Sequence, residues 1–196
     1  IRWRAARGVV QGELIDDCRP PFLPLTRLRG CCTFTVGDGE NSFGQFTSIQ
    51  EAIDRLPPEG GDVCILNGVY RQDFSIAGRT NVRVHGCGAR TRILGAPDGA
   101  GPVVALRDAF NVRVASLSII SGSRVGLAGE SGQRGRLRGV VIEDLDIECA
   151  DREAIQMRAQ SHVTVRNCRI DVQSLGRNLS AQSIAGKCPE IGRAHV

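Results

Sequence analysis

Four segments of the chain carry the same alternation of apolar and polar residues: Val82–Cys87 (VRVHGC), Val112–Leu117 (VRVASL), Val140–Leu145 (VVIEDL) and Val163–Cys168 (VTVRNC), at offsets of 30, 28 and 23 residues. A period of two puts alternate side chains on opposite faces of a strand, so each segment reads as a strand with one buried face. Set in register, the segments give apolar columns. Val82, Val112, Val140 and Val163 form one, and Val84, Val114, Ile142 and Val165 a second. Cys87, Leu117, Leu145 and Cys168 form the third. Gly86, Ser116, Asp144 and Asn167 precede that third column. These residue types tolerate left-handed backbone, so each marks a corner, after which alternation resumes in Leu117-Ser-Ile119, Leu145-Asp-Ile147 and Cys168-Arg-Ile170.

A third apolar strand is expected ahead of each pair: Val63–Leu66, Pro102–Leu106, Val125–Ala128 and Ala154–Met157. Repeats in the twenties, none able to bury its own apolar face, predict an all-β right-handed parallel β-helix, a solenoid with three strands per turn. The leucine and asparagine skeleton of leucine-rich repeats is absent from these units.

One segment breaks the strand pattern. Ile49, Ala52, Ile53 and Leu56 follow helical spacing, with Thr47/Gln50 and Ser48/Glu51 as capping boxes and Pro57-Pro58 as the stop. A helix over about 47–56 is expected to cover the N-terminal end of the stack. It would block the backbone groups that an open strand edge exposes.

The run from this helix through Gly60-Gly-Asp-Val-Cys-Ile-Leu-Asn-Gly-Val-Tyr70, together with the units at 112–119 and 163–170, resembles the pectin-lyase-like superfamily over residues about 33 to 185. The resemblance implies a right-handed β-helix and an extracellular or surface-associated setting. It leaves activity open, because the superfamily spans lyases, hydrolases, epimerases, tailspikes and non-catalytic surface proteins. Three readings follow: a carbohydrate-binding or tailspike-like surface module, a polysaccharide-active enzyme, and a structural spacer.

The flanks read differently. Residues 1–29, with Pro20, Pro21 and Pro24 in five positions and Asp16-Asp17 outside the repeats, are expected to be a linker or the tail of a preceding domain. Residues 30–190 form the β-helix, expected to be incomplete at its C-terminus. Ile191–Val196 (IGRAHV) reads as an adapter-derived tail.

Composition narrows the function classes. Aromatics make up 4% and glycine 24 residues, a mix suited to short strands and tight turns. The net charge of +4 is carried almost wholly by arginine. The cluster Arg134, Arg136 and Arg138 lacks interleaved aromatics for base stacking, which argues against a nucleic-acid partner. No apolar run is long enough to span a membrane as a helix.

The chemistry is sparse. Lyases of the resembled fold place aspartates around calcium with an Arg or Lys as base, and hydrolases use clustered aspartates. Glu143, Asp144, Asp146, Glu148, Asp151 and Glu153 are the densest acidic stretch. The register sets Glu143 against Arg166 and Asp146 against Arg169, so these acids are expected to sit in exposed ion pairs. Calcium at Gly37-Asp38-Gly39 has only a bare turn to recommend it, and His85-Gly86 lacks the preceding aspartate motifs of galacturonan hydrolases. His85 is therefore read as a partly exposed corner residue.

The eight cysteines include no C-x-x-C pair, which argues against zinc. Cys87 and Cys168 are expected as small buried hydrophobes. No catalytic residue and no cofactor is assigned. For a polysaccharide or cell-surface glycan, the candidate contacts are Arg124, Gln156 and Arg158 on the face of the third strand.

Overall fold

Every strand pairing among the described residues is parallel. The computed structural model describes residues 32–132, 137–150, 152–158 and 161–172. The linker and tail expected at 1–29 and 191–196 lie outside them, as do Asp151, Arg134 and Arg136.

The chain begins with β1 (Phe34–Val36), α1 (Ile49–Asp54), β2 (Gly61–Ile65), β3 (Gly68–Arg71), β4 (Phe74–Ala77), β5 (Thr80–His85) and β6 (Thr91–Leu94). It continues with β7 (Val104–Arg107), β8 (Phe110–Gly122), β9 (Leu127–Glu130), β10 (Arg138–Cys149), β11 (Ile155–Arg158), β12 (Ser161–Arg166) and β13 (Arg169–Val172). A nine-stranded sheet runs β1-β2-β5-β8-β10-β12, with β3, β6 and β13 attached beside it. A separate four-stranded sheet has the order β11-β9-β7-β4.

The two valine columns form as the periodicity requires. Val82 pairs with Val112, Val112 with Val140, and Val140 with Val163. Val84, Val114, Ile142 and Val165 do the same. All but Val163 and Val165, which are partly buried, are essentially inaccessible to solvent. The corners also form. Ser116, Asp144 and Asn167 have φ of 54°, 52° and 51°, which lets β8 and β10 turn without breaking. Asn81, Asn111, Gly139 and His162 make a second ladder of left-handed positions at the strand entries, with φ of 53°, 52°, 65° and 57°.

The third column differs from expectation. Cys87 is exposed and lies outside any strand. The chain leaves the sheet after β5, makes a short 3-10 turn at Gly88–Arg90, and re-enters at Thr91. Arg92 pairs with Ser118 and Ile93 with Ile119, so Thr91 takes the place beside Leu117. Thr91 is wholly buried, yet its hydroxyl is satisfied. It donates toward the carbonyls of Ile65 and Leu66 and accepts from the Cys87 amide.

The expected third strand is also corrected at its first member. Val63–Ile65 of that run belongs to β2, which pairs with β1 and β5 in the large sheet. The four-stranded sheet instead begins at β4, whose Phe74 and Ile76 point into the core. Its other members sit one or two residues later than the apolar runs suggested.

The helix is shorter than its apolar stripe, at Ile49–Asp54. Ser48 is the N-cap, its Oγ accepting from the Glu51 amide at 3.2 Å. Ile49, Ala52, Ile53 and Leu56 are buried, and the helix packs against β1, β2 and β4, the first strands of both sheets. Gln50 does not cap. Its Oε1 accepts from the Ser75 amide at 2.7 Å and ties the helix to β4. Arg79 donates to the carbonyls of Leu56 and Asp54, closing the helix C-terminus.

Candidate functional site

Strand alternation projects rows of side chains outward from both sheets. On the four-stranded sheet, Ser75, Ala105, Ala128 and Gln156 make one row, and Ala77, Arg107, Glu130 and Arg158 the next. The first row is a shallow floor of small side chains ending in half-buried Gln156, and the second is an exposed charged edge. Two of the expected contacts, Gln156 and Arg158, therefore share a face.

Arg124 does not join them. It lies in the turn between β8 and β9, and its guanidinium grips Asp73 through two bonds of 2.9 and 2.6 Å. Those bonds hold its pKa above the ordinary arginine value. Asp73 also accepts from the Ala96 amide at 3.0 Å. A Cβ at Gly95 or Gly99 would lie 1.8 Å from a terminal nitrogen of Arg124, so both glycines clear its path. Arg124 thus ties the β8–β9 turn to the segment between β3 and β4.

On the large sheet, one outward row runs Asp62, Arg83, Arg113, Val141, Thr164, and its neighbour runs Cys64, His85, Ala115, Glu143, Arg166. The acid expected in an exposed pair is in fact buried: Glu143 is 4% exposed. Arg113 donates through Nε and Nη2 to one carboxylate oxygen. Arg166 donates to the other, its Nε at 2.6 Å. Ala115, whose side chain is only a methyl, stands between Arg113 and Glu143 in the weave of the two rows. Glu143 is thus clamped from both neighbouring strands. Asp146 does stand opposite Arg169 as expected.

The same row starts with a cluster that the spacing of cysteines did not suggest. Cys64 forms a disulfide with Cys32, and its Sγ lies 3.0 Å from Nε2 of His85. Burial first, then the nearby Arg83, holds the His85 pKa below the ordinary imidazole value. Its neutral ring keeps a lone pair available for a donor or a cation. The available signal was register: Gly61-Asp-Val-Cys64 aligns with Val82-Arg-Val-His85, which puts Cys64 beside His85.

Asp38 is held by its own loop. One carboxylate oxygen accepts from the amides of Glu40, Asn41 and Ser42 at 3.1, 2.8 and 2.9 Å. The other accepts from the Asn41 side chain at 2.9 Å and the Val69 amide at 3.2 Å. The Asn41 side-chain bond and those amides hold the carboxyl well below its ordinary pKa, so it serves as a loop staple. A different acidic grouping lies on the β8–β10–β13 face, where Ser118, Asp146, Glu148, Arg169 and Asp171 line an open depression.

No family model, no curated protein and no solved structure matches this chain.

Proposed function

We propose that the chain is a right-handed parallel β-helix of the pectin-lyase-like kind, serving as a carbohydrate-binding surface module. All-parallel pairing, columns of β-branched residues in register and repeated left-handed corners support that winding. The observation that carries the binding reading is the outward surface of the four-stranded sheet. Its floor of Ser75, Ala105, Ala128 and Gln156 is shallow, and Arg107, Glu130 and Arg158 border it as exposed donors and acceptors. Such a surface suits the hydroxyls and carboxylates of an acidic glycan, with arginine forks matching carboxylate geometry. The Cys32–Cys64 disulfide agrees with an oxidising, extracytoplasmic setting.

Binding is favoured over catalysis because three carboxylates are engaged: Glu143 by two arginines, Asp73 by Arg124, and Asp38 by its own loop. The test is a glycan array probed with the full chain. Retention of acidic glycans, weakened about tenfold or more in the double variant Arg107→Ala/Arg158→Ala, is the expected result. An array with no glycan retained overturns the reading.

A polysaccharide-active enzyme is the second reading, and the depression of Asp146, Glu148, Asp171 and Arg169 favours it. Acids beside an arginine are the parts that calcium-assisted elimination uses. Eliminative cleavage of homogalacturonan, lost on chelation, would move the function there. With neither binding nor cleavage, the structural spacer is the reading left.

A further inference from the structure

The one group among the described residues whose donor set matches a metal centre is Cys32, Cys64 and His85. Their ligand atoms all lie within 4.8 Å of one another. Two strands and the segment entering the sheet bring them together: Cys64 on β2, His85 in register on β5, and Cys32 two residues before β1. Cys64 is buried, Cys32 and His85 are half-buried, and the site opens to solvent on the outward face.

We propose that in the reduced protein Cys32, Cys64 and His85 bind a thiophilic divalent cation such as Zn²⁺, with the fourth position left to solvent. Two sulfur donors and one imidazole form a common zinc ligand set, and three protein ligands plus water is the open form of such a centre. At Zn–S of about 2.3 Å and Zn–N of about 2.0 Å, the donors of a tetrahedral site stand about 3.5 Å apart, so the two sulfurs must part on reduction, while Cys64 Sγ and His85 Nε2 already stand 3.0 Å apart. Asp62, one residue before Val63 in the adjoining outward row, contributes negative charge near His85, while Arg83 and Arg113 oppose it. Those arginines weaken the net attraction for a cation.

The disulfide and the metal use the same two sulfurs and exclude each other. A phosphine reductant converts the disulfide and one water to two thiols, itself becoming the phosphine oxide. The cation then displaces one proton from each thiol, with no further change of oxidation state. Oxidised protein therefore has no site.

The experiment uses the full chain carrying Cys18→Ser, Cys31→Ser, Cys87→Ser and Cys188→Ser, so that these four thiols do not report. After phosphine reduction, Co²⁺ is titrated in and thiolate-to-cobalt charge-transfer absorption is followed, then Zn²⁺ is added as competitor. The expected result is one equivalent of Co²⁺, displaced by Zn²⁺. The signal should be absent in oxidised protein, and affinity should fall about 100-fold or more with His85→Gln or Cys64→Ser. Circular dichroism runs alongside. If reduction melts the strands and Zn²⁺ restores them, the site stands as a folding site. Three results overturn the proposal: folded reduced protein that takes up no cobalt, unfolded reduced protein that zinc does not rescue, or uptake unchanged by His85→Gln and Cys64→Ser.

Discussion

The side-chain amide of Asn111 donates to the side-chain oxygen of Asn81 at 2.7 Å, directly across a parallel strand pair. Both residues are in the left-handed region, and the Asn81 amide passes the chain on to the Glu59 carbonyl at 3.2 Å. Asparagine here does two jobs at once, tolerating the backbone and bridging the strands. Asn111→Ala is expected to cost about 2 kcal/mol, combining roughly 1 kcal/mol of left-handed strain with a lost hydrogen bond. Asn111→Gly keeps the backbone free and should cost only about half as much. Urea denaturation of both variants checks the order. If glycine is the worse substitution, the backbone is not what asparagine relieves.

Glu143 is buried, but its arginines are not: Arg113 is 36% and Arg166 56% exposed in their side chains. Losing either arginine leaves the carboxylate one partner, and solvent screens what remains, so Arg113→Met or Arg166→Met should each cost on the order of 1 kcal/mol or less. Losing both strands a buried charge. The double variant should exceed the sum of the singles by about 1 kcal/mol or more, as a double-mutant cycle would measure. Additive losses would mean that the two arginines act independently of the acid they share.

Thr91 and Leu145 hold equivalent places in one interior row, one polar and one apolar. Leu145→Ala should cost about 2–5 kcal/mol through the cavity it leaves. Thr91→Val removes no volume, yet it strips the partner from the Cys87 amide and from two carbonyls, for about 1–3 kcal/mol. A neutral Thr91→Val would show that those groups find water instead.

That pair of residues marks where the sequence stops being legible. Alternation alone predicted the valine columns and their register, because a one-residue slip would turn every side chain to the wrong face. Small polar residues predicted the corners at Ser116, Asp144 and Asn167. Alternation failed at Cys87, since a four-residue excursion put a cysteine where the apolar residue was due and hid the true occupant behind a hydroxyl. It missed β4 because Phe74 and Ile76 are only two apolar residues, too short a run to register as a strand. The Arg124 bond was illegible for another reason: its partner Asp73 is 51 residues away, and nothing local records it. The Cys32–Cys64 bridge has the same character, as pairing among eight cysteines is not deducible from spacing.

The three thiols described outside the bridge should separate by rate of alkylation in the folded protein. Cys87 is exposed and should react first. Cys149 is buried, and burial pushes the Cys168 thiol up, so both should lag until the protein unfolds. Mass spectrometry after a short iodoacetamide pulse reads this order. A protected Cys87 would return it to the interior.

His85 gives the fold a pH dependence of known sign. Its folded-state pKa lies below the ordinary 6.5. Between the two values the unfolded chain binds more protons, so stability rises with pH there. The contribution is complete above about pH 6.5 and is lost as pH falls through the lower, folded value. His85→Gln should flatten this part of the profile. Thermal melts from pH 7.5 down to pH 5, compared between the two proteins, check it. An unchanged slope would assign the titration to another group.

The excursion at Cys87–Arg90 leaves the Val82 and Val84 columns before it, and Ile93 after it, in place against their neighbours. Extra length at a corner is therefore invisible to the core, since register is set by the pairing on either side. The interval Gly88–Arg90, which ends before the buried Thr91, is a natural splice point. Segments of foreign sequence could be exchanged there, giving the same scaffold a new surface without rewriting a single interior position.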